Sequence, residues 1–252
     1  MSCETPTNGM IGSRLPVRDA QVKVTGQLKY VADMKMPHML HAKVLFSPVA
    51  HARIKSIDTS EAEALPGVRA VVCYKNAPDI PFNCCGENID ESKNERIFDQ
   101  VVRYVGDKVA AVAADTVQIA EKALKLIKVE YEELPFYIDP EEAMKEDAYP
   151  IHEGGNIAEV VNLNQGDVDA GMKEADLVFE DRYSLPAIHH SAIETHAALA
   201  SYDANGKLTV WSPSQDAFAV RVNLSRLFGL KMSRVRVVAS AIGGGFGGKI
   251  DM

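Results

Sequence analysis

The stretch VAAVAADTVQIAEKALKLIKVEY, residues 109–131, decides the fold class of the first half of the chain. Residues 109–113 are small or apolar, as in a buried strand, and the stretch ends with an alternation of polar and apolar residues. Between them, Asp115 or Thr116 is placed to cap a helix that continues to about Ile127. The apolar residues of this helix fall on one face. The stretch therefore predicts a strand, a helix and a second strand.

Further short elements precede this unit. The alternation of residues and the turn signals predict strands over residues 40–45, 52–57 and 68–74, with a short helix over residues 61–65. Residues 77–100 are polar and contain prolines, which indicates a long surface loop. Strands that follow one another closely favour antiparallel pairing, so we predict an α+β domain over residues 19–135. Residues 1–18 have no periodicity and are interpreted as a loose arm.

The second half of the chain is separated by a stretch rich in proline, glycine and acidic residues. We interpret this stretch, residues 136–164, as a linker and residues 165–252 as a second α+β region. The predicted elements of that region are a helix over 167–175, strands over 177–185, 197–202 and 207–211, a helix over 216–228, and a strand over 235–238. Asn205-Gly206 predicts a hairpin turn between two of these strands, and Gly229 predicts the end of the longer helix.

Composition excludes several classes of protein. Hydrophobic residues make up 46% of the chain and charged residues 25%. The net charge is −8, and the acidic and basic residues are interspersed along the chain. This profile is typical of a soluble globular protein and argues against a nucleic-acid partner. There is no run of about 18 apolar residues to span a membrane, and no secretion signal. We therefore expect a cytoplasmic protein without a membrane partner.

The cysteines do not follow the spacing of a metal or cluster site. They are Cys3, Cys73, Cys84 and Cys85, and none forms a C-x-x-C pair. The adjacent pair is poorly spaced for zinc or an iron–sulfur cluster, so we expect reduced thiols. Any iron–sulfur chemistry is then expected on another polypeptide.

A glycine-rich segment, GGGFGGK at residues 243–249, follows the last predicted strand. Each glycine costs about 1 kcal/mol in a regular element, so this density indicates unusual backbone angles or a backbone that approaches a ligand closely. A purely structural turn is one alternative. The spacing also fits the dinucleotide fingerprint G-x-G-x-x-G and the phosphate-loop core G-x-x-x-x-G-K. The first requires a following helix and a later acidic residue, and the second requires Ser or Thr where Ile250 stands.

Several motifs, in a fixed order, resemble those of the xanthine dehydrogenase and aldehyde oxidase family. They span about residue 17 to the end of the chain. The motifs are VKVTG at 22–26 with Tyr30 and Asp33, SPVAHARI at 47–54, LPGV at 65–68, VEYEELP at 129–135, PIH at 150–152, GD at 166–167, ETHAA at 194–198 and IGGGFGGK at 242–249. Their order makes the resemblance more specific than any one of them.

The resemblance implies a hammerhead-like α/β domain, followed by the first part of a molybdenum-cofactor-binding α+β domain. Members of the family hydroxylate purines, aldehydes or N-heterocycles, with water as the oxygen source. Their cofactor is molybdenum bound to molybdopterin. Electrons leave through iron–sulfur clusters and FAD, which are expected here on other subunits. The expected partners are therefore an iron–sulfur subunit, an FAD subunit, the polypeptide that completes the molybdenum domain, and a small-molecule substrate.

The resemblance also assigns site residues. Gln215, in the segment WSPSQ, matches the glutamine whose amide lies beside the molybdenum, where it interacts without adding charge. Gly245, Phe246 and Gly247 match the loop whose N–H groups face an oxygen ligand of the metal. Gln215 and Phe246 are thus expected close to the molybdenum. No catalytic residue is expected in residues 1–252, because the general base of the family is a glutamate farther along the chain.

Two departures shape the expected function. Purine-oxidising relatives commonly have a glutamate directly after G-G-K, whereas this chain has Ile250, which favours a less polar heterocycle over xanthine. Residues 1–252 also lack the general base and much of the pterin contact, so they are expected to be inactive alone. They would then belong to a split subunit, a fragment or a truncated product. The alternative function is a non-catalytic remnant or assembly module of such a complex.

A cluster of histidines invites a metal-site interpretation. His189, His190, Glu194 and His196 lie close together in the sequence. Their spacing matches neither H-E-x-x-H nor a site of two histidines and one carboxylate, and Pro186 favours a bent strand. We therefore expect structural roles for these histidines rather than metal binding. Glu194 is expected near the wall of the pocket, with no assigned chemistry.

Overall fold

The computed structural model describes residues 17–82 and 95–250. Its strands are β1 His41–Phe46, β2 Ala52–Asp58, β3 Val68–Cys73, β4 Val101–Val102, β5 Lys108–Ala114, β6 Lys128–Glu133, β7 Leu199–Tyr202, β8 Leu208–Ser212 and β9 Val235–Ala239. Its α-helices are α1 Ala20–Val24, α2 Ser60–Glu63, α3 Val117–Leu124, α4 Pro140–Ala143, α5 Val168–Glu174 and α6 Ala217–Leu227. Turns of 3₁₀-helix cover Val31–Asp33 and Met232–Arg234. The mixture of helices with mainly antiparallel sheets confirms the predicted α+β class.

The predicted strand–helix–strand unit is present as β5, α3 and β6, but its two strands lie in different sheets. β5 is the central strand of an antiparallel sheet with the order β1-β5-β3, and β6 is an edge strand of a second sheet with the order β4-β2-β6. The central strand of a sheet has neighbours on both sides, and the small residues of β5 fit this position. Val109, Val112 and Ala114 are fully buried there. Ile54 of β2 is fully buried in the same hydrophobic core.

Helix α3 begins where the sequence predicts it. Thr116 is the capping residue, because its Oγ accepts a hydrogen bond of 3.2 Å from the N–H of Ile119. Asp115, the other candidate, instead binds Arg69 through two hydrogen bonds. Ala120 and Ala123 lie on the buried face of the helix, which packs against β1 and β5. The cap and the apolar face therefore set the position of this helix.

The third sheet positions the candidate site. Strands β7 and β8 form the predicted hairpin, and Gly206 adopts the positive φ of 76° that its turn requires. Strand β9 then pairs with β8 in the parallel direction, and α6 forms the connection between them. Because parallel strands end at the same edge of a sheet, the residues after β8 and those after β9 are brought together.

The predicted strand over residues 177–185 is wrong. The segment forms no regular secondary structure and pairs with no strand in the described part of the chain, and Leu177 and Leu185 are 75% and 91% exposed. Alternation of apolar residues predicts which faces a strand would have, but a strand also needs a hydrogen-bonding partner.

Some sequence predictions fall outside the described residues. These include the arm up to residue 16, Cys3, the central part of the loop at 83–94, and the pair Cys84 and Cys85. Cys73, which the structure does describe, is a buried free thiol. No helix among the described residues is long and apolar enough to cross a membrane. The predicted cytoplasmic location stays a prediction.

Removal of the Thr116 hydroxyl tests the capping role. We expect Thr116→Ala to lower the free energy of unfolding by about 1 kcal/mol, because one N–H of the first turn of α3 loses its partner. Thr116→Ser retains the acceptor oxygen and should remain close to the wild type. Denaturant titration of the purified variants measures both values. Equal losses in the two variants would contradict the capping role.

Candidate functional site

Gln215 lies in the connection between a strand and a helix. Strand β8 ends at Ser212, and α6 begins at Ala217. Asp216 caps α6, because its Oδ1 accepts the N–H groups of Phe218 and Ala219 at 3.1 and 2.9 Å. The N–H of Asp216 in turn donates to Oγ of the buried Ser214 at 3.0 Å. The backbone on both sides of Gln215 is therefore well fixed.

The glycine loop, residues 243–249, holds Gln215 by its main chain and by its side chain. The N–H of Gln215 donates to the carbonyl oxygen of Lys249 at 2.7 Å. The N–H groups of Gly247 and Lys249 donate to Oε1 of Gln215 at 3.1 and 3.2 Å. Since two N–H groups require an acceptor, Oε1 must face the loop. The Nε2 group of Gln215, which has no hydrogen bond within the described part of the chain, is thus left as a donor.

The glycines of the loop allow its backbone to approach neighbouring side chains. A Cβ atom on Gly245 would lie 2.5 Å from Oε1 of Gln215, and one on Gly243 would lie 2.6 Å from Cβ of Glu194. Neither distance leaves room for a methyl group. The loop is therefore shaped around two side chains, Gln215 and Glu194, and is more than a flexible connection.

Phe246 and Gly247 form the tip of a tight turn. The N–H of Gly248 donates to the carbonyl oxygen of Gly245 at 2.8 Å, and Phe246 and Gly247 have φ values of 52° and 88°. Positive φ at both central positions is the condition of a type I′ turn, and it is unusual for phenylalanine. The ring of Phe246 is 73% exposed. Within the described residues, the N–H groups of Gly245 and Phe246 have no hydrogen-bond acceptor.

A buried ion pair lies behind the loop. Lys249 is 2% exposed, and its Nζ donates to Oε2 of Glu194 at 2.7 Å. The N–H of Gly243 donates to the same oxygen, also at 2.7 Å. The N–H of Glu194 donates back to the carbonyl oxygen of Gly243 at 3.1 Å, so that the two backbones are joined as well.

The histidines make contacts with the loop. Nε2 of His196 lies 2.7 Å from the carbonyl oxygen of Gly248, and because a carbonyl only accepts, this nitrogen carries the proton. His190 lies against Gly248, where a Cβ atom would be 2.9 Å from its Nδ1. No group of three metal-ligating side chains is found among residues 17–82 and 95–250. The ring of His196 also borders a cavity of about 220 Å³, together with Ser212, Ser214 and Lys249.

The phosphate-loop alternative does not fit this geometry. In such a loop the lysine reaches into the phosphate site, whereas Lys249 is buried and bound to Glu194. The dinucleotide alternative requires a helix that opens at the glycines, and none begins between Gly243 and Ile250. Sequence reasoning missed the ion pair. A buried lysine needs a carboxylate partner, but the sequence alone does not show that Lys249 is buried.

A substitution at Gly245 tests whether the loop depends on close contact with Gln215. We expect Gly245→Ala to displace the Gln215 amide and to lower the free energy of unfolding by about 2 kcal/mol, because two hydrogen bonds of about 1 kcal/mol each are lost. Gly154→Ala is the control, since a Cβ atom there would contact nothing. Thermal unfolding of the purified proteins measures the difference. A Gly245→Ala protein as stable as the control would contradict the close contact.

Comparisons with known proteins agree with the resemblance seen in the sequence. The model of the aldehyde oxidase and xanthine dehydrogenase a/b hammerhead domain matches residues 25–135, and that of the molybdopterin cofactor-binding domain matches residues 151–252. The xanthine dehydrogenase molybdenum-binding subunit of Escherichia coli is 38% identical over 93% of this chain and 32% of its own length. The nicotinate dehydrogenase large molybdopterin subunit of Eubacterium barkeri is 40% identical over 93% of this chain and 54% of its own length.

A solved structure supports the same fold. Quinoline 2-oxidoreductase from Pseudomonas putida 86 superposes with a TM-score of 0.83 at 31% identity, over 94% of this chain and 31% of the solved chain. The chain thus spans between about a third and a half of the length of these relatives. The predicted order of a hammerhead domain followed by a molybdopterin cofactor-binding domain is confirmed. The chain belongs to the xanthine dehydrogenase and aldehyde oxidase family of molybdenum hydroxylases, and it corresponds to part of their molybdenum-binding subunit.

Proposed function

We propose that the chain forms one wall of the cofactor pocket of a molybdenum hydroxylase. Gln215, Gly245, Phe246 and Gly247 are the residues that would contact the cofactor. The observation that carries this proposal is the fixed orientation of the Gln215 amide. Because Gly247 and Lys249 donate to its Oε1, the group that remains for a ligand is the donor Nε2.

The donors of the site suit an anionic, oxygen-rich group. Nε2 of Gln215 and the N–H groups of Gly245 and Phe246 are neutral donors on a backbone that internal hydrogen bonds already hold. Such donors stabilise negative charge without the reorganisation that a flexible charged side chain would require. When bound, the molybdenum–molybdopterin cofactor supplies the redox chemistry of hydroxylation, with oxygen derived from water. The chain supplies the positioning and the hydrogen-bond donors.

The carboxylates of the site do not provide a general base. Glu194 is the acidic side chain that contacts the glycine loop, and its Oε2 already accepts Gly243 N–H and Lys249 Nζ. The expectation that the catalytic glutamate of the family lies outside residues 1–252 stays a prediction. We therefore assign no proton-transfer step to the residues of this chain.

The proposed substrate is an aromatic N-heterocycle. Ile250 follows the glycine loop and is 37% exposed, so an apolar side chain stands where purine-oxidising relatives commonly have a glutamate. Two relatives described above are named for nicotinate and quinoline, which are both N-heterocycles. An aliphatic side chain favours contact with a flat, weakly polar ring over recognition of the polar edges of xanthine.

The proposed partners are an iron–sulfur subunit, an FAD subunit and the polypeptide that completes the molybdenum domain. Both curated relatives described above are themselves named as subunits, which supports a multi-subunit enzyme. The division of the chain at residues 135 and 165 and the cytoplasmic location belong to the same proposal.

Copurification tests the proposal. The protein is expressed with the polypeptides encoded beside it, and the purified complex is analysed for molybdenum and pterin. We expect both, at close to one equivalent per complex. A folded complex with neither would refute cofactor binding and favour the alternative of an assembly module.

Substitutions of Gln215 test the orientation of its amide. Gln215→Glu retains an oxygen for Gly247 and Lys249 but replaces the outward donor by a charged acceptor, so we expect a normal melting temperature and about 10–100-fold lower turnover. Gln215→Ala should lose turnover and stability together. Gln118→Ala, an exposed residue of α3, is the control. Wild-type turnover by Gln215→Glu would show that the Nε2 donor of Gln215 is not required.

A further inference from the structure

The Glu194–Lys249 pair is more deeply buried than the other ion pairs of the described residues. The side chains of Lys249 and Glu194 are 2% and 11% exposed, whereas every other such pair has both partners at least 20% exposed. Burial of two charges costs hydration that their attraction only partly offsets, so an apolar pair would often be as stable. Stability alone is therefore a weak reason for this pair to be present.

The geometry of the pair provides a more specific reason. Oε2 of Glu194 accepts one hydrogen bond from Gly243, at the start of the glycine loop, and one from Lys249, at its end. A single carboxylate oxygen thus joins both ends of the loop. The other oxygen, Oε1, is buried and has no hydrogen-bond partner within the described residues. The carboxylate therefore binds both ends of the loop through one oxygen, while its other oxygen is left without a hydrogen bond.

Lys249 transmits this constraint to Gln215. Its backbone carbonyl accepts the N–H of Gln215 at 2.7 Å, and its own N–H donates to Oε1 of the Gln215 side chain at 3.2 Å. Lys249 is therefore bound to Glu194 through its side chain and to Gln215 through its backbone. Displacement of its side chain would move the two backbone groups that orient the amide.

We propose that Glu194 and Lys249 are positioning residues, which close the glycine loop and thereby orient the Gln215 amide with its donor toward the cofactor. The role of the Gln215 donor in binding the cofactor rests on the function proposed above. The closure of the loop is a property of this chain alone, and it is measured without the cofactor.

Hydrogen exchange, measured on complexes freed of cofactor, and cofactor content, measured on the complexes as purified, test the proposal on three variants. Glu194→Gln and Lys249→Met each leave one buried group without its charged partner, whereas the double variant removes both charges. We expect each single variant to exchange the amides of Gly243, Gly247 and Lys249 at least about tenfold faster than the wild type. Each should also lose about 10–100-fold in affinity for the cofactor, measured as bound molybdenum and pterin.

The double variant separates positioning from stability. A neutral pair no longer has an uncompensated charge, so we expect its melting temperature to return most of the way to the wild-type value. The fast exchange of the loop and the low cofactor content should persist, because the bridge between the loop ends is still absent. If loop protection and cofactor content return together with the melting temperature, the pair is only structural and the proposal is wrong.

Controls and alternative outcomes complete the design. Lys43→Met with Glu121→Gln removes an exposed ion pair between β1 and α3 and should change neither loop exchange nor cofactor content. Unchanged loop exchange in both single variants would overturn the proposal. If the single variants do not fold, the comparison of the double variant with the wild type decides it. A wild type without molybdenum would refute the proposed function, whereas the exchange measurement would still test the closure of the loop.

Discussion

Two parallel strands end at the same edge of their sheet, and β8 and β9 of this chain are such a pair. Strand β8 leads into the segment that contains Gln215, and β9 leads into the glycine loop. Without the parallel register, residues more than 25 positions apart in the sequence would have no reason to meet. Helix α6 allows the parallel pairing, because it returns the chain from the end of β8 to the start of β9.

Most of the hydrogen-bond donors within the site are backbone N–H groups rather than side chains. Gly247 and Lys249 bind Gln215 through their N–H groups, and Gly243 binds Glu194 in the same way. Main-chain donors bring no conformational freedom of their own, so their positions depend only on the path of the loop. The unfavourable chain entropy of ordering so many glycines is offset by these hydrogen bonds and by the close packing that the lack of Cβ atoms permits.

The local part of the fold was predictable from the sequence. Thr116 and the apolar face of α3, the Asn205-Gly206 turn and Gly229 after α6 are signals that act over a few residues, and each corresponds to an observed element. The predicted strand over residues 177–185 failed because strand formation depends on a partner that local alternation does not reveal. The parallel pairing of β8 with β9 and the burial of Lys249 are also long-range properties. For the same reason, glycine density indicates the importance of the loop and family resemblance indicates that of Gln215, but neither indicates the hydrogen bonds between them.

The shared oxygen of Glu194 also makes the length of the glycine loop a fixed quantity. The span from Gly243 to Lys249 is closed by two hydrogen bonds to one atom, so the number of residues between these ends must match a single distance. An inserted residue would have to bulge outward or release one end, even if it were glycine. The loop therefore acts as a spacer of defined size, and its length is as restricted as its composition.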